Sequence, residues 1–493
     1  MTNIDLSWIK TRPLARFIAY DVDCYKLFSY LKTKYENCFL FESLAIPRHQ
    51  DRYLSIGFDA PLIFSASGNQ LRITGTSETI ANTVTNTNTN TNTNTNTNTN
   101  TNTKGQSQTS IVFETENPYE TLKHACHFNS DAPTHAGGLV GYFCHESVNY
   151  FEPSLALKEH PDFSNFKMGL FTDSLVYDTT SGTLTYYSFD QDRSQLVKKL
   201  LDESLTFDIP TSLESATFEG HSETKSEFIE AVERTKEKIS QGFSFQSEVG
   251  FKSFYKLKGD KNAIYQKLRQ INPSPYMYYL QFGDEELFGA SPEILISCKQ
   301  NRVLTTPTAG TTVRGKTDRE DTLLARSLLE DPKEIAEHNM LVDLHRNDLS
   351  TICDPGSVKI SDLMYIIKFS HVQHIVSNVV GTLSKGKNAF DVLACILPGG
   401  VVTGAPKIET IKIINTNENT PRGPYGGAVG RFSFNGDTDF CLPIRSIFCI
   451  ADACFVQTSA GIVYDSIPEK EYQEVKNKLA AMEQTLNELG ARQ

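Results

Sequence analysis

The chain has 493 residues, enough for roughly two to four average domains or for one large α/β body with an added segment. Its formal charge of −12 argues against a nucleic-acid coat or a polybasic membrane anchor, so an anionic ligand needs local positive charge. Ten scattered cysteines form no CxxC pair, the opening MTNIDLSWIK lacks a signal-peptide apolar core, and no apolar run reaches bilayer length. The expectation is a cytoplasmic enzyme with reduced thiols.

In chain order, YLSIGFD, LIFSASG and LRITGT read as short strands punctuated by Gly and Asp turns. From Thr85 to Thr103 the chain alternates Thr and Asn. Such a tract has no apolar face and is expected to be a disordered insertion (85–103). Strand character resumes with GGLVGYFCHESVNYFE, and these elements together suggest an N-terminal region over 1–205. A polar, turn-rich boundary falls near 205–222. Beyond it, over 222–489, helices at Lys225–Gln241 and Asn262–Gln270 interleave with strands such as YMYYLQF and EILISCK. FCIADACFVQTSAGIVYD reads as two strands joined by a short turn, and the whole pattern favours an α+β or mixed-sheet architecture.

DPKEIAEHNMLVDLHRND, from Asp331, predicts a helix with Asp331 at the N-cap and Pro332 in the first turn. Glu334, Glu337 and His338 share one face, and the apolar Met340, Leu341, Val342 and Leu344 follow. A second acidic helix is predicted from about Glu469 to Leu489, with Val475, Leu479, Met482, Leu486 and Leu489 as its core face. Glu474 and Lys478 lie four apart beside that stripe. A surface ion pair explains them in isolation. Glutamates from two distant helices can instead hold one Mg2+, which keeps water and substrate oxygens in its other positions.

GTTVRGKT, residues 310–317, fits the phosphate-loop pattern G-x-x-x-x-G-K-[ST], which keeps a P-loop nucleotide hydrolase as the alternative from a different class. The preceding VLTTPTA is too polar, and too marked by Pro307, to be the buried parallel strand that such a loop follows. The match therefore reads as coincidence. RGPYGGAVGRFSF, from Arg422, offers glycines at 423, 426, 427 and 430 for close backbone approach to a ligand.

Several strings together resemble the chorismate-utilising enzymes, most closely their anthranilate synthase component I branch. They are NPSPYMYYL at 272–280, GASPE at 289–293, PTAGT at 307–311, AEHNMLVDLHRND at 336–348, FSHVQHIVS at 369–377, GAPK at 404–407, RGPYGGAVG at 422–430 and DSIPEKEYQEVKNK at 465–478. The resemblance implies an α+β fold of two large antiparallel β-sheets packed as a sandwich, with helices outside and the site between them. It implies conversion of chorismate and ammonia to anthranilate and pyruvate by a Mg2+-dependent carbon–oxygen lyase of tryptophan biosynthesis.

The same resemblance implies roles for particular residues. Glu337 and Glu474 would ligate Mg2+, Glu293 would be the general acid for the C4 hydroxyl, and His374 would act in the later elimination. Tyr425 and Arg445 would hold the enolpyruvyl carboxylate, with Lys478 and the backbone at Gly310, Thr311, Ser459, Ala460 and Gly461 completing the neutralisation of the substrate. Tryptophan, as feedback inhibitor, would bind at Ser43 of FLFES and at Pro275, Tyr276 and Met277. A glutamine amidotransferase (component II) would be a separate chain that supplies ammonia, since no G-x-C-x-G turn occurs here. Gln246 stands where water-adding relatives carry a lysine base, and Ala309 where aminodeoxychorismate synthase component I, the nearest alternative, often carries lysine. Departures from the family's pattern are Glu248, Thr312, Val401, Arg431 and Ser459.

Overall fold

The computed structural model describes residues 3–18, 22–44, 53–85, 96–101, 107–369 and 372–490. Among them, 13 strands form one large sheet and 12 another, with a further two-stranded pair, and every pairing of the two large sheets is antiparallel.

Period-two patterning makes each central strand two-faced. In Tyr276–Phe282, Met277 and Tyr279 join one apolar cluster while Tyr278, Leu280 and Phe282 join another. The cluster holding Tyr278 also contains Val140, Tyr142, Phe171 and Val429 of the other sheet, so it is the layer between the sheets. Helices Cys24–Lys34, Lys225–Ser240 and Pro468–Gly490 cover the outer face of one sheet. Pro118–Ala125, Pro332–Ser350 and Ala389–Ile396 cover the other. The expected sandwich with external helices is therefore the observed architecture.

Both sheets draw strands from either side of the 205–222 boundary, and that stretch itself contributes the strand Ser215–His221, paired with Gln246–Lys258. Part of the Thr/Asn tract also differs from expectation. Residues Asn96–Thr101 pair antiparallel with Ser107–Glu114, from Asn96 opposite Val112 to Thr101 opposite Ser107. A backbone ladder at a sheet edge needs no apolar face, and β-branched threonine suits it. The rest of the insertion, 86–95 and 102–103, lies outside the described residues.

The cysteines bring a second correction. Cys449 and Cys454 face one another across the hairpin of Ser446–Ile450 and Ala453–Ile462, with Cα atoms 4.1 Å apart, and are joined by a disulfide. The hairpin register places them opposite, which spacing alone does not reveal. No described helix is long and apolar enough to cross a membrane.

Candidate functional site

Pro332–Ser350 starts as its sequence requires, with the Asp331 carboxylate accepting from the backbone of Lys333, 2.8 Å away, and of Glu334. Leu341 and Val342 are buried, which turns the Glu334–Glu337 side toward the strand Thr308–Val313. Gly310, at φ +72°, takes a left-handed conformation that favours glycine, and the Glu334 carboxylate lies close beside it. His338 leaves this acidic group, because its Nε2 bonds Ser377 Oγ at 2.6 Å in the interior.

From the opposite side comes Pro468–Gly490, whose core stripe Val475, Leu479, Met482, Leu486 and Leu489 is buried as expected. Glu474 pairs with Lys478 at 2.9 Å, and Lys333 with Glu337 at 3.7 Å. Burial raises the carboxyls of Glu334, Glu337 and Glu471, and the charge of Glu474 raises each of them further. The two acidic helices therefore face each other. Among the described residues, no three or more His, Cys, Asp or Glu side chains already converge on one metal position. Carboxylates on two facing helices are oxygen donors of the kind a hard cation takes.

Glu293 follows the strand Glu285–Ser291 and is 4% exposed. Burial pushes its carboxyl well above the usual range, against a backbone hydrogen bond at Thr308 and the charge of Arg445. Arg445 itself sits at φ +51°, a left-handed conformation uncommon for a residue other than glycine, and its charge acts on both Glu293 and His374. His374, on Val372–Thr382, places Nδ1 2.9 Å from Thr311 Oγ1 and 3.3 Å from Gly310 O. The carbonyl makes Nδ1 the donor, so Nε2, buried and without a hydrogen-bond partner among the described residues, holds the lone pair. Burial, then Arg445, pushes its pKa down to about 4.

The other wall is Ala453–Ile462 with the loop Arg422–Gly427. Tyr425 OH lies 3.0 Å from Ser459 Oγ, and Lys478 Nζ donates to Ser459 O at 2.9 Å. The backbone of Ser459, Ala460 and Gly461 pairs with Glu248–Gly250 on one edge, while the pairing with Ser446–Ile450 on the other edge ends at Val456. Two of the family departures meet here, since Ser459 Oγ donates to Glu248 Oε2 at 2.5 Å.

Sequence reasoning misses what props this loop up. Fully buried Arg422 bonds Glu418, Val402 O and Glu248 O. Glu146, 277 residues away in sequence, accepts the Gly423 N–H with both oxygens, at 3.1 and 3.2 Å. Lys252 Nζ holds Pro421 O at 2.6 Å. Apart from Glu418, four residues before Arg422, these are isolated charges in unrelated elements that no spacing announces.

Ser43 follows the strand Asn37–Glu42, which pairs with Tyr276–Phe282, and Leu44 N bonds Ser274 O at 3.0 Å. FLFES and Pro275, Tyr276 and Met277 are thus neighbours, as the regulatory reading requires. The phosphate-loop alternative loses its support. The Gly315 and Lys316 amides, at 2.9 and 2.8 Å, are taken by the carboxylates of Asp321 and Glu320. The first four residues of the match form no loop, since 310–313 lie in the strand Thr308–Val313, antiparallel to Val372–Thr382.

A component 1 of anthranilate synthase from Leptospira biflexa is 40% identical over 472 residues, 95% of each chain. An aminodeoxychorismate synthase component 1 from Bacillus subtilis is 38% identical over 372 residues, 73% of this chain and 78% of its own. The crystal structure of anthranilate synthase component I from Streptococcus pneumoniae TIGR4 superposes with a TM-score of 0.70 at 28% identity, covering 90% of this chain and 94% of that one. The chorismate binding enzyme family matches residues 76–484, and the chain belongs to that family.

Proposed function

We propose that this chorismate-utilising enzyme is the large subunit of an anthranilate synthase, adding ammonia at C2 of chorismate, expelling the C4 hydroxyl and then releasing pyruvate. The feature that supports it most is the placing on one wall of two buried groups, Glu293, whose pKa burial raises, and His374, whose pKa burial lowers. A protonated Glu293 can give its proton to the departing hydroxyl, which leaves poorly as hydroxide. Neutral His374 can accept the ring proton in the elimination that releases pyruvate and forms the aromatic ring. Arg445 and Lys478 supply the positive charge that two substrate carboxylates need in a chain of charge −12. Glu337 and Glu474 would hold Mg2+, and the ion when bound would neutralise and polarise a substrate carboxylate.

Gln246 in place of a lysine base favours ammonia over water as nucleophile. A separate glutamine amidotransferase subunit supplies that ammonia in this reading, tryptophan inhibits from the Ser43 and Pro275–Met277 region, and the enzyme works in the cytoplasm. Aminodeoxychorismate synthesis is the second reading, favoured by the Bacillus subtilis relative; Ala309, within Thr308–Val313, weighs against it.

Chorismate, Mg2+ and ammonium incubated with the protein should yield anthranilate fluorescence. Accumulation of aminodeoxychorismate without anthranilate would transfer the assignment to the second reading. Glu337→Gln and Glu474→Gln should each weaken Mg2+ binding in calorimetry and abolish turnover, and full activity in metal-free buffer would refute the metal assignment.

A further inference from the structure

The turn that carries Tyr425 is held from both sheets at once. Strands Gly138–Phe143 and Ala428–Phe432 pair until Phe143 meets Ala428, and there the two chains part. One runs on into the short helix His145–Tyr150, while the other arrives from the loop Arg422–Gly427. Two consecutive residues keep them together. The His145 N–H donates to Gly423 O at 2.8 Å, and the Gly423 N–H donates to the Glu146 carboxyl, 3.1 and 3.2 Å from its oxygens. Gly423 itself sits at φ +66°, a left-handed conformation that favours glycine.

From the other sheet, Lys252 of Gln246–Lys258 donates to Pro421 O at 2.6 Å, its ammonium 4.0 Å from the centroid of the Phe455 ring. Glu146 is 2% exposed and Lys252 1%, and neither makes an ion pair among the described residues. Burial pushes the carboxyl up and the ammonium down. Both contacts survive such shifts, because a carboxyl oxygen accepts and an amine N–H donates in either ionisation state. Burying ionisable groups is costly, and what these two obtain is a hold on the backbone at 421 and 423. Two residues beyond Gly423 comes Tyr425, itself 2% exposed, in a turn that the Gly427 N–H closes onto Pro424 O at 3.0 Å.

We propose that Glu146 and Lys252 are positioning residues that clamp the backbone at Pro421 and Gly423 and so hold the Tyr425 hydroxyl in place for a ligand carboxylate. The proposal rests on the reading that the pocket takes chorismate and that Tyr425 meets one of its carboxylates. Neither residue touches the ligand, and both act through Tyr425.

Chorismate consumption with Mg2+ and ammonium tests the clamp in wild type, Glu146→Leu, Lys252→Met, Tyr425→Phe and the double variants. Loss of a binding contact made equally in ground and transition states raises KM and leaves kcat alone. Glu146→Leu and Lys252→Met should each raise the KM for chorismate about tenfold, the size of one hydrogen bond to a charged group, with kcat little changed. Neither should add to the increase that Tyr425→Phe produces by itself. Glu146→Gln keeps an oxygen for the Gly423 N–H and should restore most of the lost affinity. A merely structural role gives the opposite pattern, since a smaller folded fraction lowers the apparent kcat and leaves KM unchanged. Lys252→Met acts from the other sheet, which keeps the test alive if Glu146→Leu does not fold. A KM increase that multiplies with that of Tyr425→Phe overturns the proposal, as does a fall in kcat alone or a Glu146→Gln no better than Glu146→Leu. Wild type that does not consume chorismate overturns the functional reading and the clamp with it, whereas consumption that Tyr425→Phe leaves unaffected overturns the clamp alone.

Discussion

Glu293 and His374 show how one environment sets two ionisations in the useful direction. Desolvation disfavours charge on both, so the acid keeps its proton and the imidazole stays without one. Glu293→Gln keeps the shape and removes the proton, and should cost about 10²–10⁴-fold in turnover with ammonium. Near-wild-type rates would assign the donor elsewhere. The histidines also carry a linkage. Burial depresses His374 to about 4 and His345 to about 3, below the unfolded value near 6.5. Depressed groups contribute stability that is present above 6.5 and lost as pH falls through the folded values, because the unfolded chain takes up the protons. Urea midpoints should therefore fall between pH 6.5 and 4, and His345→Gln should flatten that slope. An unchanged slope would place the acid sensitivity in other groups. From sequence, Glu293 and His374 are legible through their motifs, yet their ionisation is not, since it depends on burial that only the assembled sheets create.

Elements with a strong local signal are read correctly from the chain. Pro332–Ser350 announces itself by its cap, and Pro468–Gly490 by its apolar period. Edge strands escape, as Asn96–Thr101 and Ser215–His221 do, because pairing on one side demands no apolar alternation. The Glu248–Ser459 bond escapes for another reason: 211 residues separate its partners, and nothing local links them. Capping also bears on the acidic face, since the Asp331 cap sets the first turn, which carries Glu334, and Glu337 follows one turn on. Asp331→Ala should destabilise the protein by about 1 kcal/mol. It should also raise the Mg2+ concentration needed for half-maximal activity. A stability loss with unchanged Mg2+ dependence would separate the cap from the acidic face.

Across the whole molecule, the strand Tyr276–Phe282 joins the expected regulatory region to the catalytic wall. Met277 pairs with Glu42 beside Ser43, while one residue on, Tyr278 OH donates to Ser446 Oγ at 2.6 Å, next to Arg445. A ligand that shifts this strand therefore meets the arginine expected to hold a substrate carboxylate. Coupling between two such sites is reciprocal. Under the proposed regulation, Tyr278→Phe should leave tryptophan binding in place and reduce by severalfold the coupling between tryptophan and chorismate, as measured by calorimetry of each ligand with and without the other. Full coupling in the variant would move the link to another contact between the sheets. Sheet order is the least legible level: neighbouring strands such as Gly138–Phe143 and Ala428–Phe432 lie almost 300 residues apart.

The Thr/Asn edge strand has an evolutionary corollary. Side chains in a strand repeat every two residues, and so does this tract, so sliding Asn96–Thr101 by one dipeptide along Ser107–Glu114 gives back an identical ladder. The edge is blind to how many dipeptides the gene encodes. Gain or loss of whole Thr-Asn units should leave folding and activity unchanged, whereas a single-residue change exchanges the two faces. A repeat that lengthens and shortens in pairs is thus placed where the fold cannot count it.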